Sequence, residues 1–222
     1  MQSNLNDDIP TIKTVLIGES GTGKTSIIQR YCKGIFKDVS IATLGSSFQT
    51  KEITLPEGKI KIKLEIWDTA GQEAYRALNK IFYKDAKIFI FVYDITKAAT
   101  YQEIKAYWLD NVRTNADANA SKFYIVYIYM LIIVFCIAGN KQDLYRQEEI
   151  QEKEVETFAE QNEMIFKLVS AKGNHQINDL FLMAAEKCHK EIKYFDPSQT
   201  VSLINDDKTK KENNEFHKNV CC

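Results

Sequence analysis

Apolar positions along the chain fall into two kinds of run. Short blocks rich in β-branched and aromatic residues predict strands at residues 11–17 and 88–93. Residues 48–55 and 60–67 alternate in part and flank Pro56-Glu57-Gly58, which predicts a hairpin. Two further strands end in Cys136-Ile-Ala-Gly139 and over 164–169. Between the strands, apolar residues recur at helical spacing. Helices are expected at about 24–33, in a short segment reaching Phe82, and over 100–113 through Tyr101, Ile104, Tyr107, Trp108 and Val112. Ile150, Val155, Phe158 and Ala159 mark another, and Ile177, Leu180, Phe181 and Ala184 begin a last one ending near Tyr194. Strands that alternate with helices, with one early antiparallel hairpin, predict an α/β fold. It is a six-stranded, mostly parallel sheet with helices on both faces. Residues 1–10 read as a disordered lead, 11–194 as the folded domain and 195–222 as a flexible tail.

In such a sheet, ligands sit at the carboxyl ends of the strands. Every chemically suggestive motif of this chain falls there. The first strand runs into Gly18-Glu19-Ser20-Gly21-Thr22-Gly23-Lys24-Thr25-Ser26, which contains G-x-x-x-x-G-K-T, the phosphate-binding P-loop pattern. Its glycines let several backbone N–H groups converge on phosphate oxygens, and the following helix adds a favourable dipole. Lys24 is expected to reach the β/γ-phosphates and the Thr25 hydroxyl to bind Mg²⁺. Trp67-Asp-Thr-Ala-Gly-Gln-Glu73 follows a strand in turn. Asp68 there suits Mg²⁺, Gly71 leaves its N–H open to a γ-phosphate, and Gln72 is placed to orient an attacking water. Alone, this string would read equally well as a turn; the P-loop upstream sharpens it.

Asn140-Lys-Gln-Asp143 and Ser170-Ala-Lys172 each follow a later strand. The Asp143 carboxylate can accept from guanine N1–H and its exocyclic amine, a donor pair that adenine lacks. The Ala171 N–H is expected to meet guanine O6, with the stems of Lys141 and Lys172 over the ring faces. Each short string is weak by itself; their order, and the strand before each, make them one composite site.

Composition narrows the function further. The 222 residues are 45% apolar and 27% charged, with a net charge of −1, ordinary for one soluble domain with tails. No basic excess exists to neutralise nucleic-acid phosphates, which argues against nucleic acid as a main partner. Five cysteines, three of them in apolar or helical contexts, give no disulfide framework. The N-terminal residues lack an apolar secretory core, and Gln2 rules out N-myristoylation. A reducing, cytosolic compartment is the expectation.

With GESGTGKTS, TLGSSF, WDTAGQE, NKQDL, SAK and a terminal Cys221-Cys222 in hand, the chain resembles the small GTPases of the Ras superfamily, and most of all the Rab family. The resemblance covers roughly residues 11–194. It implies a GTP/GDP switch with Mg²⁺, in which Thr43 binds the metal and the γ-phosphate in the GTP state and Phe36 packs on the guanine. It implies effectors, an exchange factor and a GTPase-activating protein that read the switch regions, with Phe48, Trp67 and Phe82 as the aromatic patch. Ordinary core packing is an equal reading for those three. Cys221 and Cys222 match the Rab terminus that carries two geranylgeranyl chains, which implies the cytoplasmic face of an intracellular membrane, cycling with the cytosol. Two departures stand out: Ala74 replaces a usual basic residue, and Ser46-Ser47 is a small pair that favours an endosomal type. No arginine is an obvious finger, so slow intrinsic hydrolysis and an external activator are expected. A binding module with negligible hydrolysis and a non-functional product are the competing readings.

One stretch does not fit. Residues 123–138 are sixteen consecutive apolar positions, where a strand needs about five or six. A membrane span, a true apolar insertion and a translated in-frame intron compete. Dropping 124–132 would leave Ile133-Val-Phe-Cys-Ile-Ala-Gly-Asn140 as a normal strand, which favours the last.

Overall fold

The computed structural model describes residues 9–38, 43, 47–56, 58, 60–69, 82–116 and 133–194. Gly71, Gln72, Ala74, Ser46, the segment 123–132, and Cys221 and Cys222 lie outside the described residues.

The first strand, β1 (Thr11–Ile17), leads through the P-loop to α1 (Lys24–Lys33). The hairpin β2 (Ser47–Thr54) and β3 (Lys61–Asp68) follows, then β4 (Ile88–Asp94). The next helical stretch has two parts. α2 (Ala98–Glu103) passes through a π-helical turn (Ile104–Trp108) into α3 (Leu109–Ala116). β5 (Val134–Asn140), α4 (Glu152–Gln161), β6 (Ile165–Leu168) and α5 (Ile177–Tyr194) complete the described chain.

The sheet has six strands in the order β2-β3-β1-β4-β5-β6. Only β2 runs antiparallel, against β3; the other pairs are parallel. The predicted architecture is therefore the observed one. Both faces of the central strands are covered. All seven residues of β4 are buried, as a strand with helices on each side requires. Ile88, Ile90 and Val92 join Leu16, Ile27, Ile28, Leu180 and Phe181 under α1 and α5. Phe89, Phe91 and Tyr93 join Val15, Trp108, Val112 and Val155 under the other helices. Side chains two apart share a face, so one strand feeds two cores.

β5 begins at Val134. The last five residues of the sixteen-residue apolar region, with Gly139 and Asn140, thus suffice for the strand that enters the site. Among the described residues, no helix is long and apolar enough to cross a membrane.

Candidate functional site

β1 delivers the chain to a turn that only glycine can make. Gly18 has φ 145°, and a Cβ there would drive into the Val92 carbonyl of β4. Gly23 has φ 92° and caps α1; a Cβ there would strike the Asn140 amide. The loop is thereby wedged between β4 and β5, at the carboxyl end of the sheet.

Lys24 lies buried under this loop. Its Nζ donates to Gly18 O at 2.7 Å and Glu19 O at 2.8 Å. Burial lowers its pKa to about 8, against the opposing pull of Asp68 and Glu19. A cation held this way gains most from a multivalent anion.

The three residues expected to hold a metal meet at one point. Thr25 Oγ1 donates to Asp68 Oδ2 at 2.7 Å and lies 2.9 Å from Thr43 Oγ1. Asp68 Oδ1 is buried with no hydrogen-bond partner. Desolvation raises the Asp68 pKa, opposed by the Thr25 bond and by Lys24. An orphaned carboxylate oxygen beside two hydroxyls is a hard-oxygen set that fits Mg²⁺. Thr43, assigned on resemblance alone, is thus found beside the P-loop threonine.

The base side is a cleft of about 240 Å³. Gly21, Gly23 and Ser26 line it from the P-loop and α1, Phe36 from the loop beyond, and Asn140, Lys141, Asp143, Ala171 and Lys172 from the loops after β5 and β6. Ser170 Oγ donates to Asp143 Oδ1 at 2.6 Å and accepts the Gly173 N–H at 2.7 Å, which holds the carboxylate on its exposed perch. Thr22 is buried and turned inward, its hydroxyl bonded to Glu19 O at 3.0 Å. Ser20 is exposed at the outer turn of the loop.

Asn140 has a role that its motif does not announce. It is only 2% exposed. Its Nδ2 donates to Thr22 O at 2.9 Å, and its Oδ1 accepts the Ala171 N–H at 3.2 Å. It is the strut that joins the phosphate loop to the base loop. The Ala171 N–H, expected to face guanine O6, is directed at Asn140.

Other supports were invisible in the motifs. Lys141 has left-handed backbone (φ 71°), and its Nζ pairs with buried Asp94 at the end of β4 at 2.5 Å. Trp108, in the π-helical turn, donates its indole N–H to the Glu19 carboxylate at 3.1 Å. Arg30 bonds the loop after β6. The aspartate that ends an all-apolar strand and the lone arginine of α1 were the available signals, but neither names its partner.

Beyond the cleft, Phe48 stacks on Trp67 at 5.2 Å, and Trp67 meets Phe82 at 5.6 Å. Phe48 is 55% exposed, so at its open end this cluster is surface.

Loop amides over a buried lysine, an oxygen cluster at one end and a carboxylate at the other suit a nucleoside polyphosphate with its metal. A model of the Ras family matches residues 13–190, the span from β1 into α5 that builds every wall of this site, and the chain belongs to that family of small GTPases.

Proposed function

We propose that this small GTPase is of the Rab type and switches membrane-traffic effectors. The observation that carries the switch reading is the meeting of Thr43 with Thr25, which in turn bonds Asp68. It links the loop after α1 to the phosphate end of the cleft, the contact a γ-phosphate would keep and hydrolysis would release. The partly exposed Phe48, Trp67 and Phe82 cluster supports the Rab reading as a surface for effectors.

In this reading Lys24 and the P-loop amides bind the β/γ-phosphate oxygens and stabilise the charge that develops on them. Thr25, Thr43 and Asp68 would hold Mg²⁺, which would supply positive charge against the phosphate oxygens. Gln72 orients the attacking water and the Gly71 N–H meets the γ-phosphate. With no obvious arginine finger in its sequence, the protein turns over slowly and depends on an activating protein. Asp143 selects guanine. Cys221 and Cys222 each carry a geranylgeranyl chain, because one lipid binds a membrane only marginally and two anchor it. The protein then resides on the cytoplasmic face of an intracellular membrane, of endosomal type, and cycles with the cytosol.

The nucleotide content of purified full-length protein tests the core of this reading. Stoichiometric GDP or GTP, released by denaturation and resolved by chromatography, is the expected result. Single-turnover phosphate release should be slow alone and fast with a broad-specificity activator. No release even with the activator would mean that effector binding is the sole output. An empty protein would refute the switch reading.

A further inference from the structure

We infer that Arg30 is a positioning residue that couples the base-holding loop at 170–172 to the loop after α1, and so sets how fast nucleotide leaves from the base side. The inference rests on the cleft holding a guanine nucleotide.

Arg30 leaves α1 half-buried and spends its planar fork on main-chain carbonyls of both loops. Nε donates to Ala171 O at 2.8 Å and Nη2 to Lys172 O at 3.2 Å. Nη1 donates to Gly34 O at 2.6 Å. The guanidinium carbon also lies 5.9 Å from the centre of the Phe36 ring. Both loops line the cleft through Phe36, Asp38, Ala171 and Lys172. One rigid, permanently charged group therefore fixes the residues expected at the edge of the base and those expected over its face.

A second tie between the loops, among the described residues, is weak. Lys172 Nζ and Asp38 Oδ1 are 3.3 Å apart, but both side chains are well exposed, and such pairs add little. Arg30 is the linkage that counts. Pulling residues 34–38 outward draws on Arg30, and Arg30 releases the carbonyls at 171 and 172. Ser170, next in line, orients Asp143, so guanine selectivity loosens with the loop. A partner that acts on residues 34–38 would open the base side without touching the metal.

Lysine at position 30 keeps the charge but cannot form the planar fork. The Arg30→Lys variant of the full chain is loaded with fluorescently labelled GDP, and release is timed in excess Mg²⁺ and in EDTA. Release should be about tenfold faster, the loss of roughly one hydrogen bond to a charged group. The factor should be the same in both buffers, because the defect lies away from the metal. The preference for GDP over IDP, which lacks the exocyclic amine, should narrow; a general loss of stability would weaken both equally. Release within about twofold of the parent, or an acceleration that disappears in EDTA, would overturn the inference. Arg30→Met, which keeps the aliphatic stem, takes its place if the lysine variant does not fold. A parent that carries no guanine nucleotide would overturn the site reading and the inference together; a loaded parent with an indifferent variant overturns the inference alone.

Discussion

Removing the amide of Asn140 should damage the protein more than removing any exposed base contact. Asn140→Ala leaves two main-chain groups, the Thr22 carbonyl and the Ala171 N–H, without the partner each now has. A buried polar group left unsatisfied costs ~1–3 kcal/mol. The 3.2 Å bond is the weaker of the two, so a sum of about 3 kcal/mol is expected. For a domain of this size that lowers the melting temperature by about 6–12 °C. The comparison must be made at one fixed concentration of GDP and Mg²⁺, because ligand raises apparent stability. Asn140→Asp separates the two bonds. The new carboxylate still accepts from Ala171 but faces the Thr22 carbonyl, acceptor against acceptor. When protonated it can donate again. Its folded pKa is then raised, so its deficit is smallest at low pH and grows as pH rises through that pKa. Calorimetric melts of both variants at pH 5 and pH 8 check this. A loss below about 0.5 kcal/mol in Asn140→Ala, or an Asn140→Asp deficit that shrinks as pH rises, would refute the strut.

Three further outcomes are expected. In Asp68→Ala, EDTA should no longer accelerate GDP release, since the metal's one carboxylate among the described residues is gone; a stopped-flow trace that still responds to EDTA would place the metal elsewhere. GDP affinity should be flat below about pH 8 and fall up to tenfold by pH 9, because the Lys24 pKa is lowered to about 8 in the protein alone and a bound phosphate raises it again. Binding then takes up a proton above pH 8, and titration calorimetry in buffers of different ionisation enthalpy reads that uptake. Phe48→Ala should change stability by less than about 1 kcal/mol, as its side chain is mostly in solvent, yet abolish retention of GTP-dependent partners on immobilised protein; a large drop in melting temperature would make Phe48 a core residue after all.

Local chemistry was legible in the chain, and long-range support was not. The β-branched run before Gly18 and the helical spacing after Lys24 place β1 and α1 to the residue or nearly so. The strand-then-motif order places Asp68, Asn140 and Ser170 at one end of the sheet, where they are found. What stayed hidden joins residues far apart in the chain. Asn140 reaches Thr22 across 118 positions and Arg30 reaches Ala171 across 141; periodicity carries no record of such pairs. The π-helical turn at Ile104–Trp108 leaves no mark in the chain, because the spacing of the buried Tyr101, Ile104, Trp108 and Val112 fits an α-helix as well as a local π-helical turn. The Ala171 N–H was aimed at a base by motif alone, and the buried Asn140 oxygen beside it leaves no trace in sequence.

The strand order also bears on how the molecule is made. β1 is synthesised first, yet its hydrogen-bonding neighbours are β3 and β4, with Leu16 opposite Asp68 on one side and Ile90 on the other. At a translation rate of ~5–20 residues per second the first partner arrives several seconds after β1, and the second later still. Through that interval a strand whose Val15, Leu16 and Ile17 end fully buried stands with both edges open. The risk of self-association therefore rises with the time the ribosome takes over the codons that separate β1 from β4. Synonymous slowing between the codons for Asp68 and Ile88 would lengthen the exposure without altering a single side chain.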